Sequence, residues 1–504
     1  MKKTENNIDG RVNTNFKSKP RRKSRYPKWV LKYKKSGEEI RYIKGKYYVY
    51  KVTSKWDPEI KRSKKITGEY LGRITEEDGF IPVSRGRVIE KKIENVQVKE
   101  NGISCFINNK LNDNVGLLKK HFGEAWQTIM AISYGRLVYQ SPLKNVGFHF
   151  EHSYLSEQLE TIDLSGKMVG SFLKNLGRQR DRIVEYFKEY KKADDCILID
   201  GTDIVSKLRK MDKCKFGISK DGTYQSLINT MFIFSVGMDT PIYYRLLPGN
   251  IKDVKSFKLC LKESGIKEVT IVVDKGFYSG ANIEELDAAG LKYIMPLKRD
   301  NTMINYGIIK SGNKENYEGY FKYAGRYVWY YTIKQPDGKV IYVYLDDRLK
   351  MEEEQDYLKR IDKKIEGYEI EKFYERQKYF GSMALYTNNG DMVTAEKAYT
   401  FYKSRVEIEN MIDAFKNILE ADRTYMQNED TLEGRMFVNH IAMQWYYKLH
   451  SLLLQNNLLE TYSVNDILGE LKEIHKVKIN GEWYKEEITR KTEELMNKLG
   501  IPIT

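Results

Sequence analysis

Apolar and polar positions fall into three regimes along the chain. Between residues 40 and 75, IRYIKGKYYVYKVTSKW and ITGEYLGRI alternate β-forming side chains with Lys and Gly, the period of two that predicts strands. These runs hold little apolar material for a core. From residue 110 to 190 the period becomes helical, as in GLLKKHFGEAWQTIMAISYGRLV and LSGKMVGSFLKNLGRQRDRIVEYFKEYKK, which predicts an all-helical unit. Within it, Ser165 to Tyr186 reads as two helices meeting at Gly177, a format shared by DNA-reading helix pairs and ordinary bundle pairs.

The third regime begins at Cys196. CILIDGTDIV, QSLINTMFIFSVG and PIYYRLL have strand length and short turn-rich links, which suits antiparallel neighbours. A turn at Pro248, Gly249 and Asn250 then leads into a helix that Asp253 is suited to cap. VTIVVDKG, SGANIEELDAAG and KYIMPLK continue as strand, short helix and strand. The predicted order β-β-β-α-β-α-β resembles a ribonuclease H-like α/β mixed-sheet core that lacks only its closing helix. Residues 301–383 postpone that helix with a β-rich insertion. It contains two aromatic-rich runs joined at a PDG turn and a charged helix near residues 350–366. After the strand-like ALYTNN, the closing helix arrives as TAEKAYTFYKSRVEIENMIDAFKNILE. Residues 434–504 read as helical.

Composition narrows the function classes. Hydrophobic residues make up 41% and charged residues 31%, and no run reaches the roughly 18 apolar residues a membrane span requires. A membrane role is therefore not expected. The N-terminus, MKKTENNIDGRVNTNFKSKPRRKSRYPK, has no apolar stretch before a cleavage site, so the expected location is inside the cell. Cys105, Cys196, Cys214 and Cys260 are widely separated and read as ordinary thiols. His149 and His152 lack the further ligands a metal site needs. Charge is more telling, because residues 1–65 hold 22 Lys and Arg against 6 Asp and Glu. That segment alone carries +16, equal to the net charge of the whole chain. In KPRRKSRYPKWVLKYKK, the cations Arg21, Arg22, Lys23 and Arg25 are interleaved with aromatics, a composition suited to neutralising nucleic-acid phosphates.

Two carboxylates stand where charge is costly. Asp200 lies within the apolar ILIDG and Asp274 ends TIVVD, so a cation or hydrogen bonds must compensate each. If the first and fourth strands of the core are neighbours, the two acids lie side by side, and a pair of Mg²⁺ ions relieves their repulsion. A third acid must come from the closing helix. At about 100° per residue, Tyr402, Arg405, Glu409 and Lys416 share a sector of about 60°, and Glu407 points about 160° away from Glu409. Helical phase excludes Glu407 but leaves Asp413, one turn beyond Glu409, as an alternative.

Tyr402-x2-Arg405-x3-Glu409-x6-Lys416 resembles the Y-x2-R-x3-E-x6-K signature of bacterial insertion-sequence DDE transposases, and that resemblance selects Glu409 over Asp413. Asp200-Gly201-Thr202 resembles the family's first-aspartate strand, and Asp274-Lys275-Gly276-Phe277 its D-R-G-F motif. The resemblance covers about residues 190–450. Lys275 replaces the usual arginine, keeping the charge without the bidentate fork, and Val406 stands where tryptophan is frequent.

The resemblance implies that Asp200, Asp274 and Glu409 are catalytic and bind two Mg²⁺ ions, with Mn²⁺ as a substitute. It assigns Tyr402, Arg405, Lys416 and Lys275 to DNA or phosphate. It implies cleavage and strand transfer on double-stranded DNA by in-line phosphoryl transfer, with a homodimer in the synaptic complex, in the bacterial cytoplasm at the nucleoid. A β-rich insertion before the glutamate is also implied, and there Trp329 is a candidate for stacking on a distorted base, with sheet packing the favoured role. The rival readings are a nuclease or resolvase without strand transfer, and a domesticated DNA-binding protein.

The expected organisation is a basic arm and small β-rich DNA-binding unit (1–95), a helical domain (96–190), the first part of the catalytic core (191–300), the insertion (301–383), the closing helix (384–433) and a helical C-terminal region (434–504). Deleting residues 1–35 should weaken duplex binding and flatten its dependence on salt, measured as log K against log salt concentration. An unchanged slope removes the arm from the interface.

Overall fold

A computed structural model describes residues 25–58, 61–83, 95–159, 162–207, 211–219, 222–249 and 254–503. Arg21, Arg22, Lys23, Asn250 and Asp253 lie outside them; Arg25 lies inside and is exposed. The chain divides into two compact units, Met1–Ile93 and Glu94–Thr504.

In the first unit, β1 (Glu38–Ile43), β2 (Lys46–Asp57), β3 (Arg62–Thr75) and β4 (Gly79–Pro82) form an antiparallel sheet in sequence order. Lys44 and Gly45, both at positive φ, make the two-residue turn that the twist of the β1–β2 hairpin favours. Among the described residues the unit's buried hydrophobic side chains are Val30, Ile40, Val49 and Ile74, ringed by Tyr26, Trp29, Tyr33 and Tyr47. A core this small leaves Tyr42 and Trp56 about 60% exposed.

The second unit opens with β5 (Val96–Glu100) and then helices, of which α1 (Trp126–Tyr139), α2 (Gly166–Gly177) and α3 (Arg180–Lys188) pack on the core. The core strands follow as β6 (Cys196–Ser206), β7 (Lys215–Ile218), β8 (Tyr224–Ser235) and β9 (Thr240–Pro248), then α4 (Val254–Ser264), β10 (Thr270–Val272), α5 (Gly280–Ala288) and β11 (Lys292–Pro296). β6 is antiparallel to β8, β8 to β9, and β10 runs parallel to both β6 and β11. The first and fourth strands of the predicted order, β6 and β10, are thus neighbours. Their apolar side chains (Ile197, Leu198, Ile199, Ile271, Val272) are almost wholly buried, as expected for strands covered on both faces.

The insertion continues this sheet. β12 (Gly319–Tyr323), β13 (Arg326–Lys334) and β14 (Val340–Asp346) are followed by α6 (Asp347–Asp362) and β15 (Ser382–Thr387), and β15 pairs with both β14 and β11. Trp329 packs against Tyr317 and Tyr320 at 5.9 and 5.1 Å between ring centroids, with Lys314 Nζ 5.0 Å from its ring. Its place is in an aromatic cluster on the sheet.

The closing helix is two helices. α7 (Ala395–Lys403) and α8 (Arg405–Asn417) meet at Ser404, whose Oγ donates to Thr400 O at 2.9 Å; such back-bonding bends helices. The single helical phase expected from Tyr402 to Lys416 therefore holds only from Arg405 onward. After the short β16 (Arg423–Thr424), which pairs with the end of β6, α9 (Glu429–Gln455) runs 27 residues.

α9 is mostly buried, including Phe437, Ile441 and Trp445, and packs on α1, α2 and β9 in the same core as the sheet. The helix pair around Gly177 is explained here. A Cβ on Gly177 would lie 1.8 Å from Asp430 O, and one on Gly434 would lie 2.0 Å from Leu173 O, so the two backbones touch and only glycine fits. Arg180 reinforces the contact, donating to Glu263 at 2.7 Å and to Glu433 at 2.8 Å. Gly177 thus serves helix packing.

The expectation of a wholly helical C-terminal region is corrected. β17 (His475–Ile479) and β18 (Glu482–Lys485) form a hairpin, and β17 pairs with β5 to complete a three-stranded sheet. The reason is local: KVKI and EWYK flank Asn480-Gly481, both at positive φ, the strongest short hairpin signal. Where β5 meets the helices, buried Glu100 accepts from Ile103 N at 2.5 Å and Tyr134 Oη at 3.0 Å, and burial pushes its carboxyl up to about 8.

Gly434→Ala should cost at least about 2 kcal/mol in denaturant unfolding, because the backbone clash outweighs the roughly 1 kcal/mol alanine gains in a helix. A neutral result would mean the helices are not in contact. Glu100 sets a pH dependence. With its folded pKa above the ordinary 4.5, the folded state retains a proton that the unfolded state loses, so its contribution is fully present below about 4.5 and is lost as pH rises to about 8. Glu100→Gln should narrow the gap between the melting temperatures at pH 5 and pH 8, and an unchanged gap removes Glu100 from that dependence.

Candidate active site

β6 carries Asp200 at mid-strand, half-buried, its Oδ1 accepting from Gly201 N at 2.8 Å. A Cβ at Gly201 would lie 2.8 Å from Met231 Sδ, so the residue after the aspartate is small because β8 presses on it. Asp274 lies two residues beyond β10 and caps a single turn, Lys275–Phe277, by accepting from Lys275 N at 2.5 Å. β10 and β6 pair in parallel with Val272 opposite Leu198. That register, continued two residues past the end of β10, would bring Asp274 level with Asp200, and paired strands lie about 4.8 Å apart.

The third side is α8. It docks on β6 and β8 through buried Ile408, Met411, Ile412 and Phe415, leaving Arg405 and Glu409 on the face toward Asp274. Arg405 Nη1 donates to Asp274 at 3.0 Å and Nη2 to Glu409 at 2.8 Å. Arg405 is 19% exposed, against 41% for Asp274 and 51% for Glu409, so a largely buried cation ties two partly exposed anions. Arg405 Nε is buried without a hydrogen-bond partner. Tyr402 sits beside them, its phenol raised chiefly by burial, with Arg405 opposing and Asp274 and Glu409 adding to the rise.

The other acids of α8 face elsewhere. Glu407 is half-buried near His450 and Asp239, and burial raises its carboxyl. Asp413 is exposed and accepts from Asn417 Nδ2 at 2.7 Å. Glu409 is the acid of this helix that joins Asp274 on one guanidinium. Lys275 is exposed and Lys416 half-buried.

Lys403 was not singled out from the sequence. It lines a cavity of about 290 Å³ together with Lys275, Arg299 and Tyr402, and burial lowers its ammonium. Its position next to Tyr402 was the available signal. The remaining polar candidates have structural roles: His149 stacks on Tyr139 at 4.1 Å and His152 Nδ1 contacts Phe148 O at 2.8 Å.

Among the described residues, no group of three His, Cys, Asp or Glu side chains is placed to enclose a metal ion. In donor chemistry, Asp200, Asp274 and Glu409 fit a hard divalent cation, since all offer carboxylate oxygens. Two of them are already gathered around one positive charge.

The sequence profile of the family described as Transposase DDE domain matches residues 191–445. The chain belongs to this family. The matched transposase segment runs from just before β6 into α9 and contains all seven residues singled out in the core: Asp200, Asp274, Lys275, Tyr402, Arg405, Glu409 and Lys416. Among solved structures, the chain is similar to a piggyBac transposase synaptic complex with hairpin DNA, determined by cryo-EM, with 10% identity over 74% of this chain and 79% of that one and a TM-score of 0.38. It is also similar to a Mos1 transposase paired-end complex with the left transposon end, with 11% identity over 34% of this chain and 58% of that one and a TM-score of 0.14. No curated protein sequence matches the chain. Among the described residues no helix is long and apolar enough to cross a membrane.

Proposed function

We propose that this chain is the transposase of a bacterial insertion sequence, which cuts double-stranded DNA at the element ends and joins the released 3′ ends to a target. The observation that carries this reading is the Arg405 bridge: Asp274 and Glu409, distant in sequence, meet on one guanidinium beside the strand that bears Asp200. The strand order β9-β8-β6-β10-β11, with β6 and β10 parallel, supports a ribonuclease H-like core for the family's chemistry.

Asp200, Asp274 and Glu409 are the residues that would hold the divalent ions, Mg²⁺ with Mn²⁺ as a substitute. When bound, these ions lower the pKa of the attacking hydroxyl and stabilise the leaving oxygen. Lys275 and Lys416 neutralise phosphate charge and fix the strand's position. Arg405 holds Asp274 and Glu409 together before the substrate arrives, and Tyr402 restrains Arg405. In the first reaction, water attacks phosphorus in line and the bond from phosphorus to the 3′ oxygen breaks, leaving a 3′-hydroxyl at the element end. In the second, that hydroxyl attacks a target phosphodiester, forming one bond to phosphorus as another breaks. Two ends must be held for joining, which supports a homodimer in the synaptic complex. The N-terminal arm supplies the general affinity for DNA in the cytoplasm, at the nucleoid.

Asp200→Asn, Asp274→Asn and Glu409→Gln should each lower divalent-dependent cleavage of an end-bearing duplex at least about a hundredfold, with duplex binding retained. Wild-type cleavage by any one of them reassigns the triad. Cut ends that never join a target leave a nuclease in place of a transposase.

A further inference from the structure

In the first unit the sheet narrows to two strands. β1 pairs with β2 only as far as Lys51, and β4 pairs with β3 only from Gly72 to Thr75. Past Val52, β2 and β3 have each other alone, in five successive pairs from Thr53–Ile66 to Asp57–Arg62. At about 3.4 Å per residue this ribbon extends about 17 Å. Thr53 to Trp56 on β2 and every residue of β3 from Arg62 to Tyr70 are exposed. Since successive side chains point to opposite faces of a strand, the ribbon is uncovered on both faces. A two-stranded hairpin with no core against it is marginally stable in water, so the packing of the unit does not account for its length.

Charge points to the partner. Residues 53–66 hold five Lys and Arg against two Asp and Glu, and their placement says more than the sum. Lys55 and Lys64 stand directly opposite one another, an arrangement in which like charges destabilise the pair. Among the described residues neither forms an ion pair. Glu39 of β1 is taken by Lys65 at 2.8 Å and Arg41 at 3.0 Å. By strand alternation Lys55 and Lys64 share a face with Arg62 and its opposite residue Asp57, and Trp56, Ser63 and Lys65 lie on the other face. Three cations and one acid thus line one side of an open ribbon, and a partner rich in acceptors relieves the repulsion between the two lysines.

We propose that the β2–β3 ribbon enters the major groove of duplex DNA, with the face of Lys55, Arg62 and Lys64 donating to the base edges. The shape fits, because the major groove of B-form DNA, about 12 Å wide, admits a two-stranded ribbon, and it displays the guanine O6 and N7 acceptors that Lys and Arg recognise. The major groove of an RNA duplex is too narrow for side chains to read. The proposal rests on the transposase reading for duplex DNA as the partner. It goes beyond the general affinity of the basic arm by naming the element that meets the bases and the face it uses.

The test uses the full chain and fluorescein-labelled duplexes of one mixed sequence, with binding read by anisotropy. One duplex is ordinary DNA, one carries 7-deazaguanine for guanine, which removes the N7 acceptor from the major groove, and one is RNA. The wild-type chain should bind the 7-deaza duplex at least about fivefold more weakly than ordinary DNA, and the RNA duplex more weakly still. The double variant Arg62→Gln with Lys64→Gln should bind the two DNA duplexes equally, at an unchanged melting temperature. Trp56→Ala, on the other face, should keep the difference between them. A wild-type chain indifferent to 7-deazaguanine overturns the proposal even if the double variant binds weakly, since the ribbon then meets phosphates alone. So does a double variant that retains the difference, which assigns base contact to another element, and so does equal affinity for RNA. Should the double variant fail to fold, Lys55→Gln is read in its place, and a full difference between the two DNA duplexes in that variant counts against the proposal. The readout is binding, so a chain that senses 7-deazaguanine but never cuts DNA sinks the transposase reading and leaves the ribbon standing, and a chain that cuts without sensing it does the reverse.

Discussion

Carboxylates gathered at one edge of a sheet repel one another unless a positive charge stands among them, and in this chain the Arg405 guanidinium does so. Its two ion pairs, at 3.0 and 2.8 Å, join the end of β10 to α8. Each acid is half-exposed, so neither pair alone contributes more than about 1 kcal/mol. Their value lies in geometry, because a planar fork reaches two anions in one plane where a lysine reaches one at a time. The parallel register of β10 on β6 places the strand that leads to Asp274 beside the strand that carries Asp200.

Much of this was legible before any coordinates. Apolar runs around Asp200 and before Asp274 identified two strands, element order made those strands neighbours, and helical phase set Glu407 aside. Asp413 was different: phase kept it level with Glu409, and what separates the two in the structure is which one reaches the guanidinium bound to Asp274. Tyr402 exposes the limit of such reasoning. Its place in one continuous helical sector assumed an unbroken helix, and the helix is interrupted at Ser404 between it and Arg405.

Other features were hidden because they depend on contacts far along the chain. The aromatic strands of residues 301–383 read as an inserted block, but strand periodicity does not reveal a partner. Only the pairing of β15 with β11 shows that the block lengthens the core sheet. Gly177 invited a reading as a turn between DNA-facing helices, and its purpose appears only when Gly434, more than 250 residues later, comes against the same turn of helix. The Asn480-Gly481 hairpin was the reverse case, a strong local signal overlooked amid helical neighbours.

The small sheet of β5, β17 and β18 also has a temporal side. Glu100 pairs with His475, so the strand that opens the second unit waits for a partner about 375 residues downstream. At synthesis rates of about 5–20 residues per second, that is roughly 20 to 75 seconds on the ribosome. Until that partner is made, the side of β5 that β17 will pair with is an open edge, the kind on which foreign strands add. Lys99, between Val98 and Glu100 on the same strand, is a charged side chain of the kind that protects such an edge, and in the finished fold it pairs with Glu157 at 2.6 Å.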